Sequence, residues 1–413
     1  MRFHMLGLGY IPTKKKHSYC AFTHRCIRLA NILKRYLGHE IIFYGVEDPE
    51  LPCDEAVTIF TNSEYEQFYG HIDPEHQQIP CDMESDAYRL FCERTVEEVG
   101  KRKQKNDFLL AMVGYYHKPI CDPHMGDMIV VEPGIGYGGC FAPFKVFETY
   151  AWMHYVYGRL GVENGQYYDA VIPPAFDPDE FPFRDRHEKG DYALFMARII
   201  SRKGIMIALQ AAHAMNIRLK VVGQGSLVND DEGLAINPAD FPLAEFYQRA
   251  VGPEERAELM SRAAVFIAPT IYIEPNGNVA VEAAMCGTPV VTTDWGGFTD
   301  NVLHGITGWR CRTFDDFCWA LRHCGDIDPK VCREWAIENY SEAAVAPKYE
   351  EYFQRLYSLY TSEHGWYELT HDRPPITWLK KHYPCIVHSR SGVHPEKVTL
   401  TGTFTGWFIP NET

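Results

Sequence analysis

Short apolar runs alternate with amphipathic stretches along the first half of the chain. The runs have the length of β-strands, and the stretches repeat apolar residues at helical spacing. In chain order the pattern predicts strand Arg2–Gly9, helix Tyr19–Leu37, strand Glu40–Tyr44, helix Met83–Lys103, strands Phe108–Val113 and Met128–Val131, helix Val146–Tyr157 and strand Ala170–Ile172. Such alternation is typical of parallel α/β architecture.

A proline-rich, acidic stretch from 173 to 190 interrupts this series and is the best candidate for a linker. A second series follows, with strands Tyr192–Ala197, Leu219–Val222, Glu245–Ala250, Ala264–Ala268 and Pro289–Thr293, and helices Ile205–Met215, Val279–Cys286, Thr313–His323, Pro329–Asn339 and Ala344–Tyr360. We therefore predict two Rossmann-like domains, 1–180 and 190–342, and a C-terminal helix and tail, 343–413, packing back on the body. Open parallel sheets bind ligands outside the carboxyl ends of their strands.

Composition narrows the possible partners. The formal net charge of −15 disfavours binding to a nucleic-acid backbone. No apolar run of about 18 residues and no secretory leader is recognisable, so we expect no transmembrane segment and a cytoplasmic location, with peripheral membrane contact through a local basic patch left open. The 13 cysteines have no repeated spacing, which predicts free thiols, and Cys121, His124 and His117 lack the further ligands of a metal site.

The clearest candidate site lies in the loop before the predicted helix Val279–Cys286. Asn276 or Asn278 is a plausible N-cap for this helix. The free N–H groups and the positive dipole end of such a helix suit a phosphate, and Gly277 lets a ligand approach the backbone.

Two acids accompany this phosphate-like site, Glu274 in the loop and Glu282 about one turn inside the helix. Carboxylates accept hydrogen bonds from hydroxyls, so Glu274 suits sugar hydroxyls and Glu282 suits ribose hydroxyls. The alternative is that both are solvated surface charges. The small apolar neighbours of Glu282 favour burial, and a buried carboxylate needs a partner.

A basic loop follows the first strand of the second series. Arg198 offers a bidentate fork and Lys203 a point charge, and both can reach a diphosphate and stabilise it as a leaving group. Gly223, in a Gly-Gln-Gly turn, is a weaker donor-side candidate, and an ordinary turn explains it nearly as well.

Together these motifs resemble glycosyltransferase family 4. That family shows Arg, four residues and Lys–Gly, and later Glu, seven residues and Glu; positions 198–204 and 274–282 have both spacings. The segments 282–290 and 296–300 are also typical, although the family usually has Glu in place of Asp300. The resemblance covers 190 to about 340. It implies the GT-B fold, with two Rossmann-like domains facing across a cleft, and a nucleoside-diphosphate sugar as donor.

The resemblance also assigns roles. Arg198 and Lys203 are expected to bind the donor pyrophosphate, Glu274 the donor sugar and Glu282 the ribose. The expected donor-binding set is Arg198, Lys203, Gly223, Glu274, Asn276, Gly277, Asn278, Val279 and Glu282, and the expected catalytic set is Glu274, Arg198, Lys203 and His117.

The N-terminal half matches the family less well. Gly9 and Thr13 stand where the family often has a Gly–Gly loop, and we expect them on the acceptor side. His117 is the first candidate for the family's catalytic-site histidine; His154, in an aromatic helix, is more typical of a core histidine. Glu132, in a glycine-rich segment after a strand, is a candidate for orienting an acceptor hydroxyl, and a tight turn that reroutes the chain is the alternative.

The expected function is transfer of a sugar to an acceptor hydroxyl of a glycan or glycoconjugate, with retention of anomeric configuration and without a metal or other cofactor. A GT-B nucleotide-sugar epimerase and a non-catalytic nucleotide-sugar-binding protein remain alternatives. A phosphorylase lacks its pyridoxal-phosphate lysine motif here, and a Rossmann dehydrogenase lacks its Gly-x-Gly-x-x-Gly fingerprint.

Overall fold

The computed structural model describes residues 1–17, 20–70, 73, 81–163, 168–229 and 233–361. The chain divides into two compact units, Met1–Tyr349 and Glu350–Thr413. The first unit contains two parallel sheets, and the described part of the second is helical. The tail predicted to pack on the body lies beyond 361, outside the described residues.

The first sheet is wholly parallel and has seven strands in the order β3-β2-β1-β4-β5-β6-β7. Its strands are β1 Arg2–Leu6, β2 Glu40–Val46, β3 Glu55–Phe60, β4 Phe108–Leu110, β5 Ile129–Ile135, β6 Phe144–Phe147 and β7 Ala170–Val171. The connecting helices are α1 Ala21–Asn31, continued by a π-helical turn Ile32–Tyr36, α2 Asn62–Tyr69, α3 Asp86–Arg102, α4 Gly114–Cys121 and α5 Tyr150–Leu160.

The second sheet has six parallel strands in the order β12-β9-β8-β13-β14-β15. Its strands are β8 Tyr192–Met196, β9 Arg218–Val222, β12 Ala244–Tyr247, β13 Val265–Ala268, β14 Val290–Thr293 and β15 Gly308–Cys311, and β10 Val228–Asn229 and β11 Leu234–Ala235 form a separate antiparallel pair. The helices are α6 Ile205–Ala214, α7 Pro253–Arg262, α8 Asn278–Met285, α9 Phe298–Asn301, α10 Phe314–Arg322, α11 Pro329–Tyr340 and α12 Glu342–Thr361.

Both sheets reverse their strand order at one point, between β1 and β4 in the first and between β8 and β13 in the second. In open α/β sheets, ligands bind at the carboxyl ends of the strands at this switch point. The loops that leave β8 and β13 carry the two predicted motifs, so the topology explains why sequence segments far apart meet. The predicted GT-B architecture of two Rossmann-like halves is confirmed.

Several elements differ from the sequence pattern. The predicted helix Val146–Tyr157 is wrong at its start, because Phe144–Phe147 forms strand β6. The helix begins only after Thr149, which caps it. The Thr149 side chain accepts a hydrogen bond from the N–H of Trp152. Elements β3, α2, α4, α7, α9, β10, β11 and β15 were not predicted. For α7 a signal existed: Pro253 at its start is followed by two glutamates, an arrangement that favours a helix N-terminus.

Apolar side chains fill both faces of each sheet, as expected for parallel strands covered by helices. Within the described ranges, no helix is both long and apolar enough to cross a membrane. The cysteines of the described residues carry free thiols.

Candidate active site

The loops after β8 and β13 meet in an ion pair. Lys203 Nζ lies 2.7 Å from Glu274 Oε2, and both side chains are largely buried. The pair forms because β8 and β13 are neighbours in the sheet, with Ala193 opposite Val265. The predicted convergence of the basic loop and the acidic loop is therefore present in the structure.

Tyr272 completes this contact and was missed from the sequence. Its hydroxyl accepts a hydrogen bond from Lys203 Nζ at 2.9 Å and donates one to Glu274 Oε1 at 3.0 Å. Burial, reinforced by the negative charge of Glu274, raises the pKa of the Tyr272 phenol, so the hydroxyl keeps its proton. The available signal was an aromatic hydroxyl two positions before the key acid.

Arg198 lies exposed in the same basic loop. Its side chain makes no hydrogen bond or ion pair with the part of the chain that the structure describes, although its charge acts on Tyr272. The neighbouring Arg202 is also exposed, and its guanidinium lies 5.2 Å from the centre of the Tyr272 ring. A free arginine beside a lysine and a carboxylate leaves a cation available for an anionic ligand.

The N-terminus of α8, at Asn278, follows Glu274 by four positions at the end of this loop. The predicted N-caps Asn276 and Asn278 are wrong, since the N-cap is Gly277 with φ of +77°, a left-handed conformation that favours glycine. The amide of Asn276 instead donates to Asn278 Oδ1 at 2.7 Å. An added Cβ at Gly277 would also overlap the ring of Phe298.

The first backbone N–H groups of α8, at Asn278 and Val279, donate no hydrogen bond within the described chain. Free N–H groups and the positive end of the helix dipole form an anion site at such a terminus. A candidate phosphate position therefore lies at the end of the loop that carries Glu274.

Glu282 lies inside α8 with only 3% of its surface exposed. Its Oε1 accepts a hydrogen bond from Arg28 Nη2 at 3.1 Å, and Arg256 Nε lies 3.6 Å from Oε2. The prediction that Glu282 is buried and has a partner is confirmed. The partner Arg28 was missed because it belongs to α1, 254 positions away.

Gly223 lies where the loop after β9 passes the loop after β8. A Cβ at this position would collide with the carbonyl of Ala197, so glycine permits the close approach of the two backbones. Its N–H donates to the carbonyl of Tyr247 at 3.1 Å. The contact gives Gly223 a structural task, and its donor-side role stays a prediction.

His117 lies in α4, fully buried, and both ring nitrogens have backbone partners. The N–H of Val113 donates to Nδ1 at 3.2 Å, so Nε2 carries the ring proton and donates to the carbonyl of Gly7 at 2.9 Å. Burial lowers the pKa of His117 to about 4, so the ring is neutral. Its catalytic role stays a prediction. His154 is exposed, so its interpretation as a core histidine is wrong.

The acceptor-side candidates are buried in the first half. The N–H of Gly9 donates to the hydroxyl of Tyr116, and Thr13 is only 2% exposed. Glu132 Oε2 accepts hydrogen bonds from the N–H groups of Phe141 and Ala142, and burial raises its pKa to about 7. These contacts support the alternative in which Glu132 anchors a turn, and the acceptor-side roles stay predictions.

Two further contacts join the start of α5 to the acidic loop of the second sheet. The hydroxyl of Thr149 donates to the carbonyl of Pro275 at 2.6 Å. Asp300 Oδ2 accepts the N–H of Tyr150 at 2.8 Å, and an acid at a helix N-terminus is electrostatically favourable. The residue that departs from the family pattern, Asp300, is thus engaged with the first half.

Among the residues that the structure describes, no group of three or more His, Cys, Asp or Glu side chains is arranged to hold a metal ion. This includes the region of Cys121, His124 and His117.

Comparison with known proteins finds similarity in the second half. The family described as glycosyl transferases group 1 matches residues 177–322. The α-maltose-1-phosphate synthase of Mycolicibacterium smegmatis is 34% identical over 184 residues, which are 39% of this chain and 47% of that protein. The chain spans 32% to 47% of the length of the curated relatives of this name that it matches.

Solved structures extend the likeness to the whole fold. A glycosyltransferase involved in avilamycin A biosynthesis, AviGT4, aligns with a TM-score of 0.58 at 20% identity, covering 86% of this chain and 98% of its own. Anabaena Alr3699/HepE in complex with UDP and glucose aligns with a TM-score of 0.60 at 15% identity, covering 86% and 99%. Residues 177–322 are thus similar to the group 1 glycosyl transferases, and the two parallel sheets have the fold of GT-B glycosyltransferases.

Proposed function

We propose that this chain is a retaining glycosyltransferase that moves a sugar from a nucleoside-diphosphate sugar to an acceptor hydroxyl of a glycan or glycoconjugate. The observation that carries the proposal is the Lys203–Glu274 pair, with its 2.7 Å contact, beside the unpaired Arg198 and the free N–H groups of α8. A cation, an acid and a helix N-terminus at one switch point suit the charge pattern of a nucleotide sugar.

The charges of the site favour one orientation of the bound donor. Its diphosphate takes the positive side, formed by Arg198, Lys203 and the N–H groups of Asn278 and Val279. Its sugar hydroxyls donate to the Glu274 carboxylate, which accepts hydrogen bonds only. On binding, the diphosphate replaces Glu274 as the main counter-charge of Lys203.

The reaction breaks the bond between the anomeric carbon and the phosphate oxygen and forms a bond from that carbon to the acceptor oxygen. The acceptor proton passes to the leaving phosphate oxygen, on the same face of the sugar, so the configuration is retained. Negative charge that develops on the diphosphate is stabilised by Arg198, Lys203 and the dipole of α8. Because the chain supplies these positive groups, we propose that transfer requires no metal ion.

A panel of nucleotides tests donor binding. UDP, GDP, ADP, TDP and their sugars are each added to the protein, and its thermal unfolding is followed. One donor, at a concentration a hundred times its dissociation constant, is expected to stabilise the folded protein by about 2.7 kcal/mol. UDP-glucose comes first, because the Anabaena protein is solved with UDP and glucose.

Turnover of the selected donor is then measured with candidate acceptors, and NMR determines the anomeric configuration of the product. A retained α-linkage from an α-donor is expected. An inverted product contradicts retention. Release of an epimerised sugar with no acceptor product supports the epimerase, and binding without turnover supports the non-catalytic protein.

A further inference from the structure

A buried contact joins the first half of the molecule to Glu282 in the second half. Arg28, on α1, is 7% exposed, and its Nη2 donates to Glu282 Oε1 at 3.1 Å. Arg28 and Glu282 therefore connect α1 beside the first sheet with α8 beside the second.

The Arg28 side chain is held in place by the linker. Its guanidinium carbon lies 4.0 Å from the centre of the Phe176 ring, a cation–π contact with a fully buried aromatic residue. Phe176 is itself fixed, since its N–H donates to the carbonyl of Tyr340 at 2.8 Å and its carbonyl accepts the N–H of Glu342 at 3.0 Å. An arginine fixed this way presents its fork with little freedom to reorient.

The other oxygen of the acid has no donor. Glu282 Oε2 is buried and makes no hydrogen bond in the described chain, and Arg256 Nε, 3.6 Å away, is too distant for one. A buried acceptor without a donor is unfavourable. A ribose hydroxyl bound at this oxygen would supply the missing donor.

We infer that Arg28 is a positioning residue for the ribose of the donor. By holding Oε1, it leaves Oε2 of Glu282, which lies in ion-pair range of Arg256 but accepts no hydrogen bond from the described residues, to accept one from the hydroxyl. Nucleotide affinity in the second half therefore depends on a residue of the first. This inference rests on the proposed function, in which Glu282 binds ribose.

The test compares each ribonucleoside diphosphate with its 2′-deoxy counterpart. Dissociation constants of UDP, GDP and ADP and of dUDP, dGDP and dADP are measured by calorimetry. The wild-type protein is expected to prefer the ribo form of its nucleotide by about tenfold. Arg28→Met is expected to reduce this preference to near one, and Arg28→Lys, which keeps the charge but not the fork, to reduce it partly.

Arg25 provides the matched control. It lies one turn earlier on α1 and forms its buried pair with Glu148, inside the first half. Arg25→Lys and Arg25→Met are expected to keep the wild-type preference. The Arg28 effect is also expected to vanish in a Glu282→Gln background, because Arg28 acts through that carboxylate.

The outcomes separate the two claims. A wild-type preference that survives in both folded Arg28 variants overturns the inference and leaves the proposed function intact. A wild-type protein that binds TDP alone, or binds ribo and 2′-deoxy forms equally, also overturns the inference and not the proposed function. A wild-type protein that binds neither these six nucleotides nor TDP overturns the proposed function itself. If Arg28→Met does not fold, the Arg28→Lys result decides.

Discussion

The ammonium group of Lys203 lies 2.7 Å from the carboxylate of Glu274, although each is assigned to a different part of the donor. Without ligand, the two largely buried charges neutralise each other. With ligand, the two charges act separately, and their substitutions should therefore have different effects.

Lys203→Ala is expected to weaken nucleoside-diphosphate binding and to lower turnover by about 10²- to 10³-fold, because a cation that stabilises the leaving group is lost. Glu274→Gln is expected to lower turnover about 100-fold while nucleoside-diphosphate affinity changes by less than about threefold, because the sugar contact is weakened while Lys203 still binds the diphosphate. Steady-state kinetics and calorimetry measure the two quantities. Exposed Glu338→Gln serves as the control; equal loss of affinity in both site variants would contradict the assignment.

Tyr272→Phe removes the hydroxyl that joins Lys203 and Glu274 without changing the shape of the side chain. Turnover is expected to fall about tenfold, with a smaller change in the KM for the donor, because the two charged groups lose their shared orientation. Tyr247→Phe is the matched control, since the Tyr247 hydroxyl also donates to a glutamate two positions away, Glu245, at 2.7 Å. Unchanged kinetics in Tyr272→Phe would remove the tyrosine from the site.

His117 predicts a pH dependence of stability. Its pKa is lowered from 6.5 to about 4 by burial. Between these two pH values, the ring is therefore protonated in the unfolded chain and neutral in the folded protein. Its contribution is fully present above pH 6.5 and is lost as the pH falls through about 4, a change of about 3 kcal/mol.

Urea unfolding of wild type and His117→Gln at about pH 7 and about pH 4 measures this. The stability lost between the two pH values should be smaller in the variant, because glutamine does not titrate. The same loss in both proteins would show that His117 is not the group responsible.

Gly277→Ala is expected to destabilise the fold by about 2 kcal/mol, because the left-handed φ of +77° disfavours alanine and the new Cβ overlaps Phe298. Gly158→Ala is the control: this glycine lies inside α5 with open space around it, and alanine there should stabilise by about 0.5 kcal/mol. The midpoints of thermal unfolding of the two variants are compared. Equal midpoints would contradict a strained N-cap at Gly277.

Chelation tests the source of positive charge. With Arg198, Lys203 and the α8 N-terminus facing the diphosphate, transfer in excess EDTA is expected to stay within about twofold of the untreated rate. Addition of Mg²⁺ or Mn²⁺ to the treated protein provides the control. Loss of turnover in EDTA that either ion restores would show that a metal supplies part of this charge.

The parallel α/β halves and the meeting of the two motif loops could be predicted from sequence, because strand–helix alternation and loop position follow from local pattern. Strand β6 could not, since its four residues run into Thr149 and α5 without a break. The N-cap of α8 was also missed: asparagine side chains favour caps, but here the left-handed backbone required Gly277.

The missed site residues share a different cause. Tyr272 has no spacing rule that ties it to Lys203, and Arg28 meets Glu282 only because the two halves pack together. Contacts that depend on how two domains meet leave no periodic trace in either segment. The burial of Glu282 was predictable from its small apolar neighbours, whereas the identity of its partner was not.

The most direct measurement is a crystal structure with the donor that binds best in the nucleotide panel. We expect diphosphate oxygens within hydrogen-bond distance of Lys203 Nζ and the N–H groups of Asn278 and Val279, with a sugar hydroxyl on Glu274. A nucleotide seated away from Lys203 and Glu274 would contradict it.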